Sequence, residues 1–195
     1  MGCYISVTER LKNTFIAQLT RQVPNHISAE NAKDLSYFHE LHDSPMRESF
    51  VPRIFSVIVV EDNIGDYLLM KEALNDSRFK ANYHLVTDGK ECLDFLHKRG
   101  KHSGASVPDL IILDLSLEKM DGIDVLREVK GDERLKVIPV VVFTGSNSPL
   151  EINKAYLAGA NCYITKPIGL ERLESTLRLI EEFWLGLVKL PGMEP

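Results

Sequence analysis

The chain has few cysteines. Cys3, Cys92 and Cys162 stand far apart among 195 residues, and no two form a C-x-x-C pair. That spacing excludes a disulfide framework and a zinc knuckle, and it suits a reducing, cytoplasmic setting. The six histidines lack a metal-binding spacing; His97 and His102 flank a glycine-containing loop and are expected to be solvated. No apolar run exceeds the length of a strand, so no membrane span is expected. The N-terminus lacks the apolar core of a secretory signal. A phosphate-cradling G-x-x-x-x-G-K loop is absent, which argues against a nucleotide enzyme. Positive charge is not in excess: the net charge is −5, and nothing suggests a nucleic-acid partner.

What is present is the composition of an ordinary globular chain, 44% hydrophobic and 26% charged, long enough for one full core plus additional material. Residues 1–52 read as that additional material, a flexible or partly helical extension. Leu11, Phe15 and Leu19 recur at helical spacing, while "VPNHIS" and "HDSPMRES" read as loop. "MGCYIS" fits the loose pattern for lipidation at Gly2 and Cys3. Met46 is a candidate start, and a chain beginning there is expected to keep its stability.

From Arg53 the pattern becomes regular, and residues 53–190 read as one domain, with 191–195 as a tail. "IFSVIVV", "YHLV", "LIIL", "IPVVVFTG" and "NCYIT" are strand-like; "IGDYLLMKEALND", "GKECLDFLHKR", "GIDVLREVKG", "SPLEINKAYLAG" and a long final segment from Gly169 are helical. Five strands alternate with helices. The strands are apolar throughout, as they must be when both faces of a sheet are covered. The expected architecture is a doubly wound α/β fold, flavodoxin-like, with five parallel strands in the order 2-1-3-4-5.

One run resists that simple picture. "VPDLIILDLSL" carries Asp114 at the end of an apolar strand. A buried carboxylate needs a cation, water or hydrogen-bond donors beside it. In a doubly wound sheet the ligand crevice lies beyond the carboxyl ends of the strands. Glu61 and Asp62 follow strand one, Asp114 follows strand three, Thr144 ends strand four, and Lys166 follows strand five. Three acids sharing a crevice call for a divalent cation, and oxygen-only ligands favour magnesium. A lysine and a hydroxyl on the other side would take phosphate oxygens. The set suits phosphoryl transfer to a carboxylate nucleophile. Taken singly, each residue has an ordinary explanation, such as a helix cap, a turn or a solvated lysine; five together do not.

"VIVVEDN", "LIILDLSLEKMDG", "VVFTGS" and "CYITKP" resemble the signature segments of two-component response-regulator receiver domains, over about residues 54–190. The resemblance implies Asp114 as phosphoacceptor, Lys166 as the phosphate-sensing lysine, Thr144 as switch hydroxyl and Tyr163 as switch aromatic. It implies magnesium held by Glu61, Asp62, Asp114 and the backbone carbonyl of Ser116. "EDN..D" and "EEFWLGLVKLP" are most similar to the small regulators paired with phytochromes. The implied partner is a sensor histidine kinase, with a phytochrome as one candidate, and the implied role is signalling by protein contact rather than enzymatic turnover. Receivers often carry proline four residues after the phosphoacceptor; this chain has Glu118.

Two other functions compete. A haloacid-dehalogenase-like phosphatase uses similar groups, but it needs an acid two residues after its nucleophile, and Ser116 stands there. A phosphorylation-independent scaffold would lack a site residue, and none is lacking. Two structural expectations remain. The Lys166–Pro167 bond is expected to be cis, to turn the lysine back into the crevice. On the final helix, Leu170, Leu173, Leu177, Ile180, Trp184 and Leu187 are expected to face the sheet, with Leu179, Phe183, Leu185 and Val188 off that face. A homodimer with Phe183 and Trp184 at its interface is expected, in line with what the resemblance implies.

Overall fold

The computed structural model describes residues 53–191 apart from Asp76 and Arg78. The expectations for residues 1–52 and for the tail beyond residue 191 lie outside the described residues. Five strands form one parallel sheet: β1 (Phe55–Val60), β2 (Ala81–Val86), β3 (Leu110–Leu113), β4 (Val140–Thr144) and β5 (Cys162–Thr165). Their order is β2-β1-β3-β4-β5, as the alternating pattern predicts. The helices are α1 (Ile64–Asn75), α2 (Gly89–Leu96), α3 (Gly122–Gly131), α4 (Pro149–Leu157) and α5 (Leu170–Glu181).

Successive strand residues point to opposite faces, and both faces are covered. Val57, Val59, Leu110, Ile112, Val141 and Phe143 pack with Met70 and Leu74 of α1 and with Leu173, Leu177 and Ile180 of α5. Ile58, Val60, Ile111, Leu113, Val140 and Val142 pack with Cys92 and Phe95 of α2, with Val125, Leu126 and Val129 of α3, and with Ala155 of α4. This two-layer burial explains why β1, β3 and β4 are continuous apolar runs, whereas the edge strands β2, with Asn82 exposed, and β5 are only half-buried and not apolar throughout.

Caps follow local chemistry. Asp88 and Asp121 accept hydrogen bonds from Glu91 N and Ile123 N at the starts of α2 and α3. Asn63 accepts from Gly65 N and Asp66 N at the start of α1. Pro149 occupies the first turn of α4, and Gly159, with φ +99°, follows its end.

Three expectations need correction. The final segment is not one α-helix: α5 ends at Glu181 and a π-helical turn runs from Glu182 to Leu187. A π turn adds one residue per turn and shifts the helical phase. Leu185, predicted to lie off the core face, is therefore buried, whereas Leu187 is exposed; Leu170, at the first turn, is also exposed. Gly186 permits the shift, since a Cβ there would lie 2.8 Å from the Phe79 ring. Behind the turn, the buried Glu181 carboxylate accepts a hydrogen bond from the Tyr83 hydroxyl of β2.

The Lys166–Pro167 bond is trans, like every peptide bond described. No reversal is needed, because Lys166 still belongs to the strand ladder: its N–H donates to Thr144 O at 2.7 Å. The chain turns three residues later, at Gly169, with φ +96°. Finally, only His97 is exposed as expected. The His102 side chain is mostly buried, with its ring 5.1 Å from Phe95.

Candidate functional site

The register of the central strands brings the site together. Val60 pairs with Leu113, Leu113 with Val142, and Thr144 with Thr165. The residues just past these pairs, Glu61, Asp114 and Lys166, therefore leave the sheet side by side. Asp114 is held in place by its own N–H, which donates to Val60 O at 3.0 Å.

The buried carboxylate in the apolar run has partners on both oxygens. Asp114 Oδ1 accepts from Ser116 N at 2.9 Å, and Oδ2 accepts from Lys166 Nζ at 2.6 Å. Lys166 also donates to Glu61 Oε2 at 2.7 Å and to Asp66 Oδ2 at 2.9 Å. All three N–H bonds of the ammonium thus end on carboxylates. Burial works to lower the pKa of Lys166, but the bonds to Asp114, Glu61 and Asp66 outweigh it and raise the pKa above the usual lysine range. Glu61 is only 2% exposed, and burial pushes its pKa up against the pull of Lys166. We take the lysine as charged, since three carboxylates surround one ammonium.

Asp62 stands nearer the rim. Its Oδ2 accepts from Glu118 N at 2.8 Å, a bond that ties the β1 exit to the β3 exit. A proline at residue 118 could not donate it. The departure from the receiver pattern therefore gives this loop an extra hydrogen bond. Thr144 is fully buried, and its Oγ1 lies 3.5 Å from Ser116 Oγ. Tyr163 donates through its hydroxyl to Ser146 O at 3.1 Å, directly beyond Thr144. Burial raises the Tyr163 pKa.

The structure thus brings Glu61, Asp114 and Lys166 into contact, with Thr144 and Ser116 beside them and Asp62 at the rim. One member of the site is absent from the sequence-derived candidates: Asp66, in the first turn of α1. Its signal was its place one helical turn after Asp62, on a helix that starts at the crevice. Phe183 is exposed as expected, but Trp184 is half-buried against the core cluster of α1 and α5.

Among the described residues no three His, Cys, Asp or Glu side chains are grouped so as to hold one metal ion. Magnesium does not need such a group, because it keeps several waters and takes one or two carboxylates. The donors here are all hard oxygens, and four carboxylates stand against one ammonium. That donor chemistry fits magnesium.

Comparison with known proteins decides the family. Residues 57–178 match the model of the response regulator receiver domain. The chain belongs to that family. It is 38% identical over 145 residues to the response regulator Rcp1 of Synechocystis, covering 74% of this chain and 97% of Rcp1. It is 40% identical over 140 residues to the probable methanogenesis regulatory protein FilR2 of Methanothrix harundinacea, covering 71% of this chain and 88% of FilR2. Among solved structures, the phosphorylated cyanobacterial phytochrome response regulator RcpA superposes with a TM-score of 0.69 at 43% identity, covering 72% of this chain and all of RcpA. The Mn²⁺-bound form of Rcp1 superposes with a TM-score of 0.68. The receiver family is a signalling family, and the relatives include small phytochrome response regulators. Among the described residues no helix is long and apolar enough to cross a membrane.

Proposed function

We propose that residues 53–190 form a receiver unit that accepts a phosphoryl group on Asp114 from a sensor histidine kinase and signals by contact with other proteins in the cytoplasm. The observation that carries this reading is the Asp114–Lys166 pair, flanked by Glu61, with Thr144 beside it. An oxygen of the Asp114 carboxylate bonds to phosphorus as the N–P bond of a phosphohistidine breaks, and the imidazole nitrogen leaves with the electron pair. Lys166 can follow the negative charge from the carboxylate to a phosphoryl oxygen. Thr144 offers its hydroxyl to another, and Tyr163 senses that movement through the shared Ser146 segment. Magnesium, held by Asp62, Asp114, Glu61 and the Ser116 carbonyl, would supply neutralisation of the phosphoryl charge.

A donor protein has a place to dock. Leu68 and Leu69 of α1 and Leu170 of α5 are exposed beside the crevice, around a cleft that Asp66 also lines. The likeness to RcpA supports a phytochrome as the kinase, while the similar identity to FilR2 makes other sensors equal candidates. We include in the proposal a homodimer formed through the surface around Phe183. Membership of the receiver family argues against the phosphatase alternative, and the presence of Asp114, Lys166, Thr144 and the acidic pair favours phosphorylation over an inert scaffold.

The test is labelling with acetyl phosphate and magnesium, followed by mass spectrometry. Wild type is expected to gain one acid-stable, base-labile phosphoryl group, and Asp114→Asn none. Persistent labelling of Asp114→Asn would overturn the assignment.

A further inference from the structure

Lys166 is held by one carboxylate more than the proposed chemistry requires. Asp114 is the nucleophile, and Glu61 lies on the buried floor of the crevice. Asp66 reaches the ammonium from a different element, the first turn of α1, at 2.9 Å, with a side chain 41% exposed. It is not needed as the helix cap, because Asn63 already accepts from both Gly65 N and Asp66 N. A first-turn acid that served only the helix dipole would have no reason to point at a lysine one hundred residues away.

We infer that Asp66 is a positioning residue for phosphorylation, which acts by holding Lys166 from the rim of the crevice. This rests on the reading of Asp114 as phosphoacceptor. When the Asp114 oxygen bonds to phosphorus, its negative charge moves outward to the phosphoryl oxygens. One N–H of Lys166 must then leave Asp114 and find a phosphoryl oxygen. Glu61 alone would draw the ammonium inward, into a tight buried pair with the nucleophile. Asp66 opposes that pull from the solvent side, so the ammonium keeps two fixed partners while the third N–H changes acceptor. Without Asp66, Lys166 settles deeper on Asp114, neutralises the nucleophile and is misplaced for the product.

The experiment is a double-mutant cycle on the whole chain, read as the initial rate of labelling by acetyl phosphate over a range of donor concentrations. Asp66→Ala is expected to slow labelling by about tenfold, the scale of coupling between contacting charged groups. Asp66→Asn, which keeps an acceptor and loses the charge, is expected to fall between Asp66→Ala and wild type. Melting temperatures should stay alike. In a Lys166→Ala background, Asp66→Ala should have no further effect, because its action passes through the lysine. Independent, multiplicative slowing would overturn the inference, as would an Asp66→Ala rate equal to wild type.

A second readout does not depend on phosphorylation. Reductive methylation of Lys166, followed by mass spectrometry, should be several-fold slower in Asp66→Ala than in wild type, because the ammonium then sits deeper against Asp114. An unchanged methylation rate would overturn the inference even if Lys166→Ala proved too slow to label. Failure of wild type to label at all would instead count against the phosphoacceptor reading, and methylation would still decide whether Asp66 holds the lysine.

Discussion

Gly122 lies against the backbone of Asp114. A Cβ placed on it would meet the Asp114 carbonyl oxygen at 2.5 Å and the Leu115 Cα at 2.6 Å. Both obstacles are backbone, so no side chain can swing away. The contact fixes how the start of α3 closes over the loop that carries Asp114. Gly122→Ala is expected to destabilise the domain by about 1–3 kcal/mol or more, the cost of forcing atoms into a packed site. Chemical denaturation would measure it. Because the displaced atoms belong to Asp114 and Leu115, labelling should slow as well, at temperatures where the variant is still folded. A variant as stable as wild type would mean that α3 can retreat without cost.

The Glu118 N–H donates to Asp62 Oδ2 at 2.8 Å, so it would share a carboxylate with the proposed magnesium ion. Glu118→Ala keeps this backbone donor and is expected to leave the magnesium requirement of labelling unchanged. Glu118→Pro removes the donor and frees the Asp62 oxygen. A hydrogen bond to a charged carboxylate contributes roughly 1.5–3 kcal/mol, so the half-saturating magnesium concentration should fall about tenfold or more in the proline variant. Equal magnesium dependence in all three proteins would show that Asp62 binds the ion through its other oxygen without competition.

Much of this was legible in the sequence. Strand order and the convergence of Glu61, Asp114, Thr144 and Lys166 follow from apolar runs that each end in a polar residue, because a parallel sheet sends every strand exit to one edge. What was not legible depends on side-chain reach or on phase. Asp66 joins the site through the length of Lys166: the "EDN..D" spacing places it at the crevice but does not pair it with a lysine one hundred residues away. The exchange of Leu185 for Leu187 on the core face follows from a single π turn, invisible to a period of 3.6. Lys166 points into the crevice as expected, but through a trans Lys166–Pro167 bond: its N–H is still paired with Thr144 O, a long-range ladder contact that local sequence does not display.

His84 is expected to give the domain a pH dependence. Its ring and that of His102 each lie tilted against Phe95, 5.1 Å from the phenyl centre. The His84 Nε2 atom is buried without a hydrogen-bond partner. Burial lowers the His84 pKa, and the neighbouring His102 lowers it further; Glu91 and Lys101, across the same cluster, pair with each other at 2.6 Å. A histidine with a lowered folded pKa is kept neutral by the fold, so the unfolded chain takes up its proton first. Stability is therefore full above the ordinary histidine pKa of about 6.5 and is lost as pH falls through the lower folded value. The melting temperature should drop between pH 7.5 and pH 5.5, and His84→Gln should lose less over that interval. An equal loss in the variant would assign the acid sensitivity to other groups.

The proposed homodimer depends on the phase shift in the final helix. Leu179, Phe183 and Leu187 are 52%, 41% and 61% exposed and recur every four residues, so they form an apolar stripe on the outer side of α5 and its π turn. Trp184 does not belong to that stripe. It packs inward, and its ring meets Phe183 edge-on at 5.3 Å between centroids. The two aromatics therefore have separate roles: Trp184 braces Phe183 from behind, and Phe183 is the group a second copy would cover. Phe183→Ala should weaken self-association by about thirtyfold, the loss of an aromatic anchor worth roughly 2 kcal/mol, with little change in melting temperature. Trp184→Ala should instead lower the melting temperature, because it removes a packed side chain. Sedimentation velocity at micromolar concentration, with and without acetyl phosphate, separates these effects. A wild-type monomer under both conditions would overturn the dimer, and equal association of wild type and Phe183→Ala would place the interface elsewhere.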